Sequence, residues 1–273
     1  MNSITLTSAM NANLLSLQGI ASDVALTQQR LATGKKVNSA QDNASAYFSA
    51  QQGYNKADAL NTLKDAMGEG LQKISTALTA TNSATTTLKQ MKSLADQALA
   101  TNDTTTKQNL QDQYNQLRTQ LTSFTQNDAN YKGTNLLSAS AGNDLVINFN
   151  EDGTSKITIA AQDTTTTSYT PAAASGWATS NANITTSQTD SSTAASSFQG
   201  LTAKLGAYSS FIQTRLDFTK QLSNIFTSGA DNLVNADMNQ EGANMLALQT
   251  RQSLGVTALS LASQANAAVL HLF

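Results

Sequence analysis

Residues 252–273 read QSLGVTALSLASQANAAVLHLF and residues 1–22 read MNSITLTSAMNANLLSLQGIAS, and neither stretch contains Asp, Glu, Lys or Arg. Both carry apolar side chains at the spacing of three and four residues that is typical of amphipathic helices. Because charged side chains keep helices soluble and apart, two charge-free ends with apolar faces are each expected to be buried against another surface when the protein works. The first candidate for that surface is the other end of the chain.

The apolar positions follow heptad seams, one in the first helix and two in the last. The N-terminal seam is Met10, Leu14, Leu17, Ala21, Val24, Gln28 and Leu31. One C-terminal seam is Leu254, Ala258, Leu261, Ala265, Ala268 and Leu272. The other is Met245, Leu248, Gln252, Gly255, Leu259, Ala262, Asn266 and Val269. A helix that is apolar on two adjacent seams needs more than one neighbour, which favours packing between chains.

The leucines and the valine of these seams are the candidate residues of an assembly interface. They are Leu14, Leu17, Val24, Leu31, Leu248, Leu254, Leu259 and Leu261. For each of them, packing in a coiled coil within one chain is the alternative interpretation.

Composition excludes several classes of function. The net charge of −2, with no strong block of either sign, predicts neither nucleic-acid nor anionic-membrane binding. The chain has no Cys, so disulfides and thiolate metal sites are excluded. Its single histidine, His271, lies at the end of the chain, and no glycine-rich phosphate loop or metal-ligand cluster is recognisable. We therefore predict no catalytic residue, no cofactor and no metal, and the protein is not expected to be an enzyme.

Local signals mark where the helices begin and end. Gly34, followed by two lysines, predicts the end of the first helix. Ser39 with Asp42 resembles an acidic capping box and predicts that a short helix begins near residue 40. A long helix is predicted over residues 56–100, and Asp103 is predicted to cap the next one.

The pattern changes in the middle of the chain. Residues 144–150 and 156–159 alternate apolar and polar side chains on either side of a turn, which predicts a β-hairpin. Residues 160–197 are mostly Thr, Ser, Ala and Asn and are predicted to form a low-complexity surface insert. Helical periodicity returns at Phe198. The predicted fold is therefore mostly α, a long antiparallel helical or coiled-coil rod with paired terminal helices and a small central β-hairpin insert.

Three stretches match a known family. Residues 29–44, QRLATGKKVNSAQDNA, closely resemble the N-terminal signature of bacterial flagellins, and residues 246–262, LALQTRQSLGVTALSLA, are similar to the C-terminal signature. Residues 131–137, YKGTNLL, resemble the turn before the family's β region. The resemblance covers about residues 1–137 and 198–273, and the short insert resembles that of alphaproteobacterial flagellins. The signature positions are Arg30, Leu31, Gly34, Asn38, Asp42, Gln249, Leu254 and Gly255.

The resemblance implies a structural subunit that polymerises into the bacterial flagellar filament, a helical tubular propeller for motility. It implies a terminal-helix inner-core domain at residues 1–40 with 235–273. A helical rod domain would comprise residues 41–137 with 198–234, and residues 138–197 would form the β-hairpin and a variable surface insert.

The same resemblance implies where the protein acts and with what. The expected partners are further copies in a homopolymer, sibling flagellins, hook-associated and cap proteins, and an export chaperone. The expected location is the extracellular flagellum, reached by type III export without a cleaved signal peptide. Flagellins sensed by the vertebrate innate receptor carry an Arg and a Glu on the long helix, and the matching positions here are Gln90 and Ser93. This departure implies poor receptor activation.

Two alternative functions remain open at this point. A hook-filament junction protein shares the terminal helices of flagellins but forms a thin adaptor layer that does not grow indefinitely. A secreted coiled-coil surface protein of another class, such as an adhesin or a translocator, would also use apolar helical ends. Self-limited assembly would distinguish either of these from a filament subunit.

Overall fold

The computed structural model describes residues 8–270, and the elements within that range are as follows. They are α1 (Ser8–Thr33), α2 (Ala40–Ala100), α3 (Thr104–Ser123), a π-helical turn (Phe124–Asp128), β1 (Leu145–Asn148), β2 (Lys156–Ile159), α4 (Asn181–Val234) and α5 (Met238–Leu270). The predictions for His271 and Leu272, and for the side chains of Asn266, Ala268 and Val269, lie outside the described part. The prediction of a mostly α fold with a small β-hairpin is confirmed.

Helix ends follow the local signals in the sequence. Gly34 has a φ of 69°, and its amide donates to the carbonyl oxygen of Arg30 at 2.8 Å, which ends α1 as predicted. Asp103 is the N-cap of α3, and its carboxylate accepts a hydrogen bond from the amide of Thr106 at 2.6 Å. Hydrogen bonds from the side chain and the backbone of Thr106 hold the pKa of Asp103 below its usual value.

The chain divides into two compact units. Unit 1 comprises residues 1–57 and 224–273, and unit 2 comprises residues 58–223. In unit 1 a small core of Val37, Ala50, Ala230 and Val234 is buried. It fixes the ends of α2 and α4 that belong to this unit.

In unit 2 the core follows heptad spacing along α2, α3 and α4. The buried positions of α2 include Met67, Ile74, Ala77, Thr81, Ala84, Leu88, Met91, Ala95 and Ala98. The hairpin pairs Leu145 with Ile159 and Ile147 with Ile157 in antiparallel register, and it adds its apolar face to the same core. The predicted alternation of the hairpin is therefore confirmed.

Unit 2 differs from the sequence prediction between residues 160 and 197. Helix α4 already begins at Asn181, not near Phe198, and Trp177 is completely buried. The indole Nε1 donates to Ser187 Oγ at 3.3 Å, and the ring packs edge-on against Tyr114 with the centroids 5.2 Å apart. The segment that looks like a polar surface insert thus carries an anchoring aromatic side chain into the core.

Helix α2 differs from the prediction as well, because it continues past Gly53 instead of stopping there. Its first turn contains Asn43, whose φ of −164° and ψ of 99° are extended. The side-chain oxygen of Asn43 accepts from the amide of Ala46 at 3.0 Å and caps the regular helix that follows. None of the helices within residues 8–270 is long and apolar enough to cross a membrane.

Candidate assembly surface

Helices α1 and α5, both in unit 1, are held together at the junction where one ends and the other begins. Lys35 and Asn235 form an antiparallel bridge, the amide of Lys36 donates to the carbonyl oxygen of Val234 at 2.7 Å, and the amide of Ala236 donates to that of Gly34 at 2.9 Å. These hydrogen bonds place the C-terminal end of α1 beside the N-terminal end of α5. The two helices therefore run antiparallel, and the predicted pairing of the chain ends is confirmed for the described residues.

The segment after α1 is fixed by its own carboxylate. Asp42 Oδ2 accepts hydrogen bonds from the amides of Asn38 and Ser39, both at 2.9 Å, and the Ser39 hydroxyl donates to the same oxygen at 3.3 Å. The two amide donors hold the pKa of Asp42 below its usual value. The predicted acidic cap is confirmed, and it explains why Asn38 and Asp42 belong to one signature.

An ion pair joins the two helices close to the junction. Arg30 Nη1 lies 3.2 Å from Glu241 Oε1, and the side chain of Arg30 is 30% exposed whereas that of Glu241 is 10% exposed. Within the described residues, Arg30 Nε and Glu241 Oε2 are buried without a hydrogen-bond partner. The pair is therefore only half satisfied by hydrogen bonds.

The two seams predicted on α5 have different environments. The seam that includes Met245, Leu248, Gly255, Leu259 and Ala262 is half-buried at these positions. A Cβ atom on Gly255 would lie 2.7 Å from Leu17 Cδ2, so α1 approaches α5 closely at this glycine. The other seam is exposed at Leu254, Ala258, Leu261 and Ala265. One apolar seam thus faces α1 and the second has no cover from the described part of the chain.

The eight candidate interface residues divide in the same way. Leu17, Val24, Leu31, Leu248 and Leu259 are half-buried. The other three candidates, Leu14, Leu254 and Leu261, are exposed.

Other exposed apolar side chains on this surface were missed by counting seams. They are Leu15, Leu26, Leu246 and Val256. Counting heptads selects one or two faces of a helix, whereas α5 carries apolar side chains on nearly every face. These residues could have been found from the apolar content of the whole helix surface, but not from the spacing of its apolar residues.

The signature positions have distinct structural roles. Arg30 pairs with Glu241, Gly34 ends α1, and Gly255 admits the side chain of Leu17. Leu31 is half-buried, whereas Gln249 and Leu254 are exposed. The exposed members have no packing role among the described residues, which makes them available to another chain.

Gln90 and Ser93 lie far from this surface in the sequence, in unit 2. Both are exposed, and they line a groove of about 460 Å³ between α2 and α3. Its other lining residues are Leu94, Gln97, Gln113, Gln116, Leu117 and Gln120, so no charged side chain faces the groove. Among residues 8–270 no cluster of three or more His, Cys, Asp or Glu residues could hold a metal ion.

Comparison with known proteins places these features in a family. The sequence profile described as the bacterial flagellin N-terminal helical region matches residues 4–142, and that of the bacterial flagellin C-terminal helical region matches residues 186–273. Flagellin FljO of Caulobacter vibrioides is 34% identical over 100% of this chain and 99% of its own length. The flagellin of Brucella melitensis is 32% identical over 95% of this chain and 96% of its own length. The crystal structure of Bacillus cereus flagellin superimposes with a TM-score of 0.50 at 22% identity, covering 56% of this chain and 88% of that one, which supports the fold.

Proposed function

This chain belongs to the bacterial flagellin family and is a structural subunit of the flagellar filament, and we propose that α1 and α5 carry the contacts that join its copies. As a flagellin of the alphaproteobacterial type it is extracellular, it polymerises with itself, and it has a structural role in motility, not an enzymatic one.

The observation that carries the proposal is the uncovered apolar surface of α5, made of the exposed seam and the neighbouring Leu246. The side chains of Leu246, Leu254 and Leu261 are 70%, 65% and 62% exposed. Burying a leucine side chain completely stabilises an assembly by about 1.5–3 kcal/mol, so burying the exposed two-thirds of these three would contribute several kcal/mol per copy. An apolar strip of this kind marks a protein interface.

The composition of the strip also supports a contact between copies. Residues 252–273 have no charged side chain, so packing them into a dry interior leaves no unpaired ion behind. The half-buried seam is covered by α1 of the same chain, whereas the exposed seam is available to a second copy. Two different surfaces that meet head to tail without closing a ring generate a filament.

The signature and seam residues would serve this assembly in two ways. Leu17, Val24, Leu31, Leu248 and Leu259 would stabilise the α1–α5 pair within a subunit. Leu14, Leu254 and Leu261 would make the contacts between subunits. Residues 1–40 with 235–273 would form the inner-core domain of the filament, residues 41–137 with 198–234 the helical rod domain, and residues 138–197 the outer insert.

Finer partners and an export route are part of the same proposal. We propose that the chain is exported by the flagellar type III apparatus, that a chaperone grips its C-terminal part, and that sibling flagellins, hook-associated proteins and the cap contact it. The groove lined by Gln90 and Ser93 offers no charge to the vertebrate innate receptor, so we propose that this flagellin activates that receptor poorly.

The test is seeded polymerisation followed by electron microscopy. The purified full chain is mixed with short native filament fragments and compared with a chain lacking residues 252–273 and with the variant Leu254→Gln/Leu261→Gln. Ser253→Gln is the matched control, since it changes an exposed polar position of the same helix. We expect long tubular filaments from the wild type and the control, and strongly reduced growth from the other two.

Two results would contradict the proposal. Growth of the truncated chain at the wild-type rate would show that the C-terminal helix does not carry the contacts. Rings or short caps from the intact chain, without extended growth, would favour a hook-filament junction protein.

A further inference from the structure

The paired helices α1 and α5 contain few charged residues, and these have two different environments. Arg30 and Glu241 compensate each other across the pair of helices. The remaining two are Asp23 and Arg251, one acid and one base, and both are exposed. Asp23 is the first charged residue of the chain and Arg251 is the last, so together they mark where the charge-free ends begin.

Asp23 and Arg251 lie at the same level of the antiparallel pair. Both line a groove of about 260 Å³ between α1 and α5, together with apolar side chains that include Leu26 and Leu248. Within the described residues neither the carboxylate nor the guanidinium makes an ion pair or a hydrogen bond. The groove therefore presents one negative and one positive side chain that make no ion pair within the described residues, beside the paired Arg30 and Glu241.

The surface around this groove is the one assigned above to contacts between copies. Exposed Leu26 and Leu246 flank the charged positions on α1 and α5. Covering this surface takes both charges out of water, which is strongly unfavourable unless each gains a partner of opposite charge. A further copy of this same chain supplies one carboxylate and one guanidinium.

We propose that Asp23 of one copy pairs with Arg251 of the next copy in the filament, and that this pair sets the register at which copies dock. The inference rests on the proposed assembly through α1 and α5. In a head-to-tail contact every copy uses its Asp23 once and its Arg251 once, so all copies are compensated except those at the ends. An arginine–carboxylate pair is directional, whereas the apolar seams around it permit sliding by one turn.

Charge reversal with complementation tests the contact between copies. Asp23→Lys places two bases opposite each other in a homopolymer, and Arg251→Glu places two acids there. We expect each variant alone to raise the critical concentration for seeded polymerisation by about tenfold or more, because like charges meet at every contact. In an equimolar mixture of the two variants, Lys meets Glu and Asp meets Arg at alternating contacts, and we expect growth close to that of the wild type.

Two controls separate this proposal from its alternatives. In a mixture of Asp23→Lys with wild-type chain the new lysine has no complementary acid, so we expect the variant not to be incorporated and growth not to exceed that of the wild-type chain alone at its own concentration. The double variant Asp23→Lys/Arg251→Glu on one chain is expected to polymerise alone. Circular dichroism of each monomer verifies that the helices are retained.

The outcomes distinguish a pair between copies from a pair within one chain and from a failure of assembly itself. Wild-type growth of both single variants would overturn the proposal. Rescue in the double variant without rescue in the mixture of single variants would also overturn it, since the pair would then form within one chain. Failure of the wild-type chain to polymerise on seeds would instead refute the assembly function itself.

Discussion

Arg30 and Glu241 contribute unequally to their ion pair, and we expect loss of Arg30 to destabilise unit 1 more than loss of Glu241. In Arg30→Met the carboxylate of Glu241 remains, 10% exposed, with Oε2 already lacking a partner. In Glu241→Leu the guanidinium of Arg30 remains, 30% exposed, and can turn towards water. The double variant Arg30→Met/Glu241→Leu removes both charges.

The magnitude follows from the burial of each partner. Breaking a fully buried ion pair by removing one partner costs about 3–5 kcal/mol. Since the side chain of Arg30 is 30% exposed and the pair lines an open groove, solvent screens part of that cost. We expect a loss of about 2 kcal/mol for Arg30→Met and about 1 kcal/mol or less for Glu241→Leu. The double variant should lie close to the wild type, because apolar side chains replace a pair that is only half hydrogen-bonded.

The assay must report unit 1 and not unit 2. Trp177, the single tryptophan, belongs to unit 2, so its fluorescence does not follow this change. Hydrogen exchange detected by mass spectrometry on peptides from residues 23–33 and 241–251 is direct. A loss of about 2 kcal/mol accelerates exchange through local opening by about 30-fold. Peptides around Tyr114 in unit 2 serve as the internal control and should not change.

The measurement tests whether Arg30→Met is more destabilising than Glu241→Leu. Faster exchange in Glu241→Leu than in Arg30→Met would show that burial does not determine which charge is costly to leave alone. If the loss of stability in the double variant equals the sum of the losses in the two single variants, the two residues act independently.

Three further predictions concern other parts of the molecule. Tyr114→Phe removes hydrogen bonds to two serine oxygens of α4 and should cost about 1 kcal/mol, measured by urea unfolding followed through tryptophan fluorescence; an unchanged midpoint would contradict it. Burial and the hydrogen bond to Asp231 raise the pKa of Tyr54 to about 12. The contribution of this tyrosine to stability is therefore present below pH 10 and is lost as the pH rises through 12. Over this range the wild type should lose more stability than Tyr54→Phe, as measured by circular dichroism. Reporter cells carrying the vertebrate receptor should respond weakly to this protein because Gln90 and Ser93 are uncharged, and strong signalling at low concentration would refute this.

The features predicted correctly from the sequence are those with a local cause. Gly34 ends α1 because a left-handed residue is needed there, and Asp103 caps α3 because its side chain reaches an amide three residues ahead. The hairpin followed from alternation within a few residues. The ion pair between Arg30 and Glu241 was missed because it depends on the register of two helices, and its residues lie 211 positions apart in the sequence.

The start of α4 was missed for a related reason. Its first turns are rich in Asn, Thr and Ser, which have low intrinsic helix propensity. Their buried side chains nevertheless follow heptad spacing at Ile184, Ser187, Ser191 and Ala194. Each serine hydroxyl donates to the carbonyl oxygen four residues earlier; that of Ser187 also accepts from the indole of Trp177, and that of Ser191 also bonds to the hydroxyl of Tyr114. Counting apolar side chains alone misses this seam, because its polar members are buried with hydrogen-bond partners that are distant in the sequence.

The specific contacts between α1 and α5 are concentrated at one end of the pair. The bridge at Lys35 and the ion pair of Arg30 lie at the junction, whereas the contact of Leu17 with Gly255 further along is apolar and undirected. Within the chain, register is therefore defined at the junction and becomes less specific towards the charge-free ends. Asp23 and Arg251 stand where this specificity declines. A neighbouring copy that pairs with both charges would fix the register of the two helix ends. In this way an apolar surface of leucines and alanines can bind another copy specifically.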